Sequence, residues 1–309
     1  MKTLIFPGQG SQSVGMGKEL YKNFDLVKKI FRESDDRLKY PISKIILEGP
    51  ESDLKLTKNT QPAILTVSYS IFKLVTEEFN IQIKDIKYFA GHSLGEYTAL
   101  VSSKSLNFSD AVFLLHERGK YMQEAVPTGK GAMLAVMGQK INDIQNFIDQ
   151  ISKDKGVCEI ANDNSEGQTI LSGDKEAIDE INKILKANKK KSIFLPVSAP
   201  FHCSLMQPAA KKMEETINQI NFKNPSIDLI SNVTALPIRD SSEIKKLLVK
   251  QIYSKVRWRE SVLFMIKNGI NEFIELGPGK VLSGLVKRIN DKVSTKSINS
   301  IEDIKNLND

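Results

Sequence analysis

Short apolar runs alternate along this chain with longer stretches whose apolar residues recur every three or four positions. KTLIF (2–6) is followed by a glycine-rich turn and then by ELYKNFDLVKKIFRESDDRL (19–38), and KYFAG (87–91) leads through a turn at Ser93 into LGEYTALVSS (94–103). A continuous apolar run of strand length suits a strand buried on both faces, and the 3.6-residue period suits an amphipathic helix. Strand and helix in regular succession predict an α/β fold with a mainly parallel sheet.

Between about residues 131 and 198 the order changes to GAMLAVMG (strand), INDIQNFIDQIS (helix), GVCEIAN and QTILSG (strands), KEAIDEINKILKAN (helix) and KSIFLPVS (strand). That βαββαβ succession predicts a ferredoxin-like lobe inserted into the larger unit. The expected division is a large α/β domain made of residues 1–127 and 199–309, with an inserted subdomain over residues 128–198. PSIDLISNV and NEFIELGPGKVLSGLVKRI then resume the α/β rhythm, and the tail from Asp291 is polar and reads as peripheral.

Composition narrows the class. A chain of 309 residues, 40% hydrophobic and 26% charged, can bury a full core. Cys158 and Cys203 lack the spacing of a disulfide framework or a zinc site, so no metal or other cofactor is expected. MKTLIF has no signal-peptide core before it, and no apolar run is long enough to span a bilayer, which predicts a soluble, cytoplasmic protein without a membrane partner. The net charge of +7 suits an acidic partner, although lysines such as Lys189, Lys190 and Lys191 read equally as a solvated surface. With 7% aromatics and no basic helix or RNA-binding motif, nucleic acid is not an expected partner.

The candidate chemistry centres on GHSLGE (91–96). G-x-S-x-G between strand and helix is the pattern of a nucleophile elbow, in which small flanking residues allow a sharp turn that projects the serine oxygen. Ser93 is thus either a nucleophile or a turn residue. A serine nucleophile needs a general base, and the chain has three histidines. His92 should point away across the turn and support it. His116 falls about 140° from Ala111 at 100° per residue, off the apolar stripe of its helix, and reads as exposed. His202, in the loop SAPFHCSLM, is by elimination the best base. Arg118 lies within about 40° of the centre of the stripe formed by Ala111, Leu114, Leu115, Met122 and Ala125. An inward guanidinium needs a partner, either a structural ion pair or a substrate carboxylate. PGQGSQ (7–12) fails both phosphate-loop templates, since G-x-G-x-x-G would need glycine at Ser13. A backbone N–H of that loop remains available as an oxyanion donor.

PGQGSQ, GHSLGEYTAL, ERGKYMQEAV with GAMLAVMG, PVSAPFHCSLM, QIYSKVRW and ELGPGKVLSGLVKRI occur here in one order, and in that order they resemble the malonyl-CoA:acyl carrier protein transacylase family of type II fatty acid synthesis. The resemblance implies an acyltransferase of ping-pong mechanism, with malonyl-CoA and holo acyl carrier protein as partners. It implies Ser93 as nucleophile, His202 as base, Arg118 as the anchor of the malonyl carboxylate, and the N–H groups of Gln9 and Leu94 as oxyanion donors. It also implies that the backbone carbonyl of Gln251 orients the histidine, and that Met122, Phe201 and Asn162 contact substrate. Phe201 stands where many bacterial members have a small polar residue and resembles the malonyl-type motif of polyketide synthase acyltransferase domains.

Overall fold

The computed structural model describes residues 1–79, 85–197 and 199–307. Ten strands, β1 (Lys2–Phe6), β2 (Ile86–Gly91), β3 (Gly131–Met137), β4 (Cys158–Ser165), β5 (Gln168–Asp174), β6 (Lys191–Phe194), β7 (Asp228–Ile230), β8 (Pro237–Ile238), β9 (Glu272–Leu276) and β10 (Ser294–Ile298), form two sheets among the described residues. The six-stranded sheet runs β10-β9-β1-β2-β7-β8, with every pair parallel except β7 and β8. The expectation of a mainly parallel sheet therefore holds.

Period-two alternation along these strands sends side chains into two separate cores. Leu4, Phe6, Phe89 and Ile274 pack on one face, and Ile5, Tyr88, Ala90 and Phe273 pack on the other. A sheet covered on both faces explains why Leu4, Ile5 and Phe6 are apolar in succession. Because the central strands are parallel, the loops after β1, β2 and β7 emerge at the same edge, which brings residues 7–9, 92–94 and 231–232 together.

The four-stranded sheet is antiparallel, in the order β4-β5-β3-β6. Helix Ile141–Ile148 connects β3 to β4, and helix Lys175–Ala187 connects β5 to β6. Ala132, Leu134 and Val136 of β3 face these helices, whereas Met133 and Ala135 face the large body. Two backbone hydrogen bonds join β4 to the body, Val256 N–H to Ala161 O at 2.8 Å and Asp163 N–H to Val256 O at 2.9 Å. The buried Asp163 carboxylate pairs with Arg259 beside them.

Three sequence expectations change. The run 19–38 is two helices, Lys18–Asn23 and Asp25–Leu38, because Phe24 between them is extended. The strand expected over KSIFLPVS ends at Phe194; its last residue, Ser198, and with it the 198/199 domain boundary, lies outside the described residues, as do residues 308 and 309 of the expected large domain. The tail is not peripheral, since β10 adds a parallel edge strand beside β9 and buries Ile298. Its polar sequence suits an edge position, where half of the strand faces water.

Candidate active site

The turn after β2 is tight enough to forbid a side chain at Gly91 or Gly95, two positions before and after the serine. A Cβ on Gly91 would stand 1.9 Å from the carbonyl carbon of Gly95, and one on Gly95 would stand 2.2 Å from Phe6 O. Ser93 itself has a φ of 53°, in the left-handed region that non-glycine residues seldom occupy. Asn232, in the loop after β7, holds this conformation. Its Oδ1 accepts the Ser93 N–H at 2.7 Å, and its Nδ2 donates to Gly91 O at 2.7 Å.

The serine hydroxyl meets two side chains. Its Oγ lies 2.8 Å from His202 Nε2 and accepts a hydrogen bond from Arg118 Nη2 at 3.1 Å. His202 Nδ1 lies 2.8 Å from Gln251 O. A carbonyl oxygen can only accept, so Nδ1 carries the proton and Nε2 offers its lone pair to the serine. Burial, and then the Arg118 charge, bring the His202 pKa down to about 3, so the ring is neutral at physiological pH.

Arg118 is 1% exposed. Its Nη1 donates to Gln61 Oε1 at 2.7 Å and its Nη2 also donates to Gln251 Oε1 at 2.8 Å, while Nε has no partner among the described residues. Among the described residues no carboxylate lies within ion-pair distance of it, so the structural ion pair weighed from the sequence is not what holds this charge. Burial lowers its pKa, and Tyr97 and Glu96 oppose that shift. Glu96 is also buried, and its carboxyl is pushed up to about 7 by burial, against hydrogen bonds from Asn232 and Gln251 and the charge of Arg118.

Ser93, His202, Arg118 and Gln61 border one cavity of about 220 Å³. Gln9, Leu94, Met122, Asn162 and Phe201 line it together with Ser93, Arg118 and His202. Neither the Gln9 nor the Leu94 backbone N–H has an acceptor among the described residues, so both are available to an oxyanion. Gln251 is the exception among the expected site residues in not lining the cavity, since it sits behind His202 and Arg118. His92 turns away from the serine as expected, and its Nε2 meets Asn164 Oδ1 at 2.8 Å. His116 differs from expectation. It is half-buried rather than exposed, with Nδ1 3.1 Å from Lys58 O and 3.3 Å from Tyr40 Oη, and it does not border the cavity.

Asn232, Gln61 and Glu96 were not anticipated from the sequence. For Glu96 a signal existed, namely an acid in the first turn of a helix, Gly95–Ser102, whose every residue is buried. For Asn232 and Gln61 there was none, because neither type is unusual in a loop or a helix.

The acyl transferase domain family model matches residues 3–305. The malonyl CoA-acyl carrier protein transacylase of Bacillus subtilis (strain 168) is 42% identical over 301 residues, which cover 97% of this chain and 94% of that protein. The crystal structure of an acyl-carrier-protein S-malonyltransferase from Bartonella henselae superposes with a TM-score of 0.95 at 39% identity, over 99% of this chain and 97% of the other. A malonyl-transacylase solved in complex with a type II polyketide synthase acyl carrier protein gives a TM-score of 0.94 at 37% identity, over 98% of this chain and 97% of that one.

Proposed function

This chain belongs to the malonyl CoA-acyl carrier protein transacylase family, and from that premise we propose that it moves a malonyl group from malonyl-CoA to the phosphopantetheine thiol of holo acyl carrier protein, for fatty acid synthesis. The observation that carries the choice of acyl group is Arg118, a buried guanidinium in contact with Ser93 Oγ and without a carboxylate partner among the described residues. Such a group favours an acyl chain that ends in a carboxylate, which it can grip through two N–H groups.

Ser93 Oγ attacks the thioester carbonyl as His202 Nε2 takes its proton, and the Gln251 carbonyl steadies the imidazolium through Nδ1–H. The N–H groups of Gln9 and Leu94 receive the charge that develops on the carbonyl oxygen. Collapse of the tetrahedral intermediate breaks the C–S bond, CoA leaves with the proton from His202, and a malonyl-serine ester remains. The carrier thiol then gives its proton to His202, attacks that ester, and releases Ser93 as the hydroxyl. Met122, Phe201 and Asn162 border the acyl group in this reading, Phe201 limiting its width.

The net charge of +7 supports transient docking of an acidic carrier protein. Among the described residues no helix is long and apolar enough to cross a membrane; we assign a cytoplasmic location and neither a nucleic-acid nor a membrane partner. The unit over residues 128–198 is read as an inserted ferredoxin-like lobe, from its βαββαβ order and the strand order β4-β5-β3-β6. Intact-mass spectrometry after brief incubation with malonyl-CoA tests the function. A malonyl adduct that holo acyl carrier protein discharges is expected, and a protein that stays unmodified would refute the reading.

A further inference from the structure

Glu96 takes no part in the chemistry above, yet it is buried among the residues that do. Its Oε2 accepts two hydrogen bonds, from the Asn232 backbone N–H at 3.1 Å and from Gln251 Nε2 at 2.7 Å. The first leads to the residue that holds Ser93 in its left-handed conformation. The second leads to the amide whose Oε1 accepts from Arg118 and whose backbone oxygen faces His202. The Gln251 amide therefore stands between cation and anion, its oxygen toward Arg118 and its nitrogen toward Glu96.

A buried guanidinium without a counter-charge is costly, and a carboxylate in direct contact would compete with any substrate carboxylate. An anion one amide away offsets part of the cost without placing a carboxylate on the guanidinium, whose Ser93 side is met by the serine hydroxyl. Building on the malonyl-transfer reading, we propose that Glu96 is a specificity-determining positioning residue: it supplies the counter-charge of Arg118 through Gln251, and it takes up a proton when a substrate carboxylate is seated on Arg118.

Two carboxylates sharing one guanidinium in a buried site do not both stay ionised without cost. The charged or titratable groups that face Glu96 are Arg118, from helix Phe108–Glu124, and Tyr97 of its own helix; the elements carrying Asn232 and Gln251 present amides. Glu96 titrates at about 7, so the proton is exchangeable under ordinary conditions.

The test is the ratio of kcat/KM for malonyl-CoA to that for acetyl-CoA as a function of pH. His202 enters both rates and cancels in the ratio. In the unmodified protein the ratio should fall roughly tenfold between about pH 6 and pH 8, as ionised Glu96 comes to oppose the malonyl carboxylate. Glu96→Gln keeps the shape and one acceptor oxygen, and its ratio should stay flat with pH. A ratio that does not change with pH in the unmodified protein, or one that changes equally in Glu96→Gln, overturns the proposal.

A second measurement needs no turnover. In Ser93→Ala protein, the infrared band of a protonated carboxyl should grow when malonyl-CoA is added at about pH 8 and should not grow with acetyl-CoA. A band unchanged by malonyl-CoA overturns the proposal even if the Glu96→Gln variant fails to fold. Absence of a malonyl adduct on the unmodified protein refutes the functional reading instead, and a carboxyl band that does not titrate near neutral pH in that protein would then overturn the role of Glu96 as well.

Discussion

Arg118 Nη2 lies 3.1 Å from Ser93 Oγ, so the cation that would recognise the acyl group also touches the oxygen that would receive it. The contact serves two ends. It lowers the energy of a developing alkoxide, and it sets the distance from the reacting carbonyl to the far end of the acyl chain. Recognition and reaction are then not separable by geometry, which gives the following expectations a common root.

Ser93→Ala should abolish the malonyl adduct and lower malonyl transfer by on the order of 10⁴-fold or more, since among the described residues no other hydroxyl is hydrogen-bonded to His202. Intact mass and circular dichroism check this together. An adduct on the folded variant would place the nucleophile elsewhere.

Arg118→Ala should cost malonyl transfer about 3 to 5 kcal/mol, roughly two to four decades in kcat/KM, because the substrate carboxylate would lie buried without its partner. Acetyl transfer should fall much less or rise, as no carboxylate is stranded. Kinetics with both thioesters decide, and an equal loss for both in a folded variant would mean that Arg118 acts through Ser93 Oγ and not on the acyl carboxylate.

The His202 pKa, brought down to about 3 by burial and by Arg118, keeps the base neutral far below the ordinary histidine value of 6.5. Serine acylation, measured by rapid quench, should therefore persist as pH falls through 6.5. Stability follows the opposite course. Below 6.5 the unfolded chain protonates this histidine before the folded one does, so stability is lost progressively between about 6.5 and 3. Acid melts of a His202→Asn variant should lack that share of the loss.

Glu96 reverses the usual carboxylate behaviour, because its folded pKa of about 7 lies above the ordinary 4.5. The folded state holds this proton more tightly, so its contribution is complete below 4.5 and disappears as pH rises through 7. Glu96→Gln should therefore raise thermal stability above pH 7 relative to acidic pH, by about 3 kcal/mol at most. Parallel melts of both proteins across that window check it, and a constant difference would show that burial does not shift this group.

Asn232→Ala would leave the Ser93 N–H and Gly91 O without the partners that hold the elbow. Stability should drop by about 2 to 4 kcal/mol and acylation by one or two decades. Urea melts with single-turnover kinetics measure both, and an unchanged acylation rate would mean that the left-handed turn is kept by Gly91 and Gly95 alone.

The strand and helix rhythm was legible because burial on two faces writes continuous apolar runs, and KTLIF and KYFAG are strands where expected. Ser93, His202 and Arg118 could be picked out because each breaks a local rule: a serine in a glycine-framed turn, a histidine in a proline loop, a charge on an apolar stripe. Asn232 and Gln61 break none. They act through contacts with Ser93 and Arg118 that are 139 and 57 residues away along the chain, and no local pattern marks such partners. The edge strand β10 was missed because a half-exposed strand of lysine and serine looks like a polar tail.

The attachment of β4 at Val256, one hydrogen bond on each side with the Asp163–Arg259 pair beside it, bears on how selectivity could change. Backbone hydrogen bonds on both sides of Val256 oppose movement of β4 away from the large body. With β4 held in place, widening the cleft falls to individual side chains at its wall, Phe201 and Met122 first among them. Drift toward bulkier acyl groups should proceed by single substitutions at those positions, leaving the chassis that holds Ser93 and His202 unaltered.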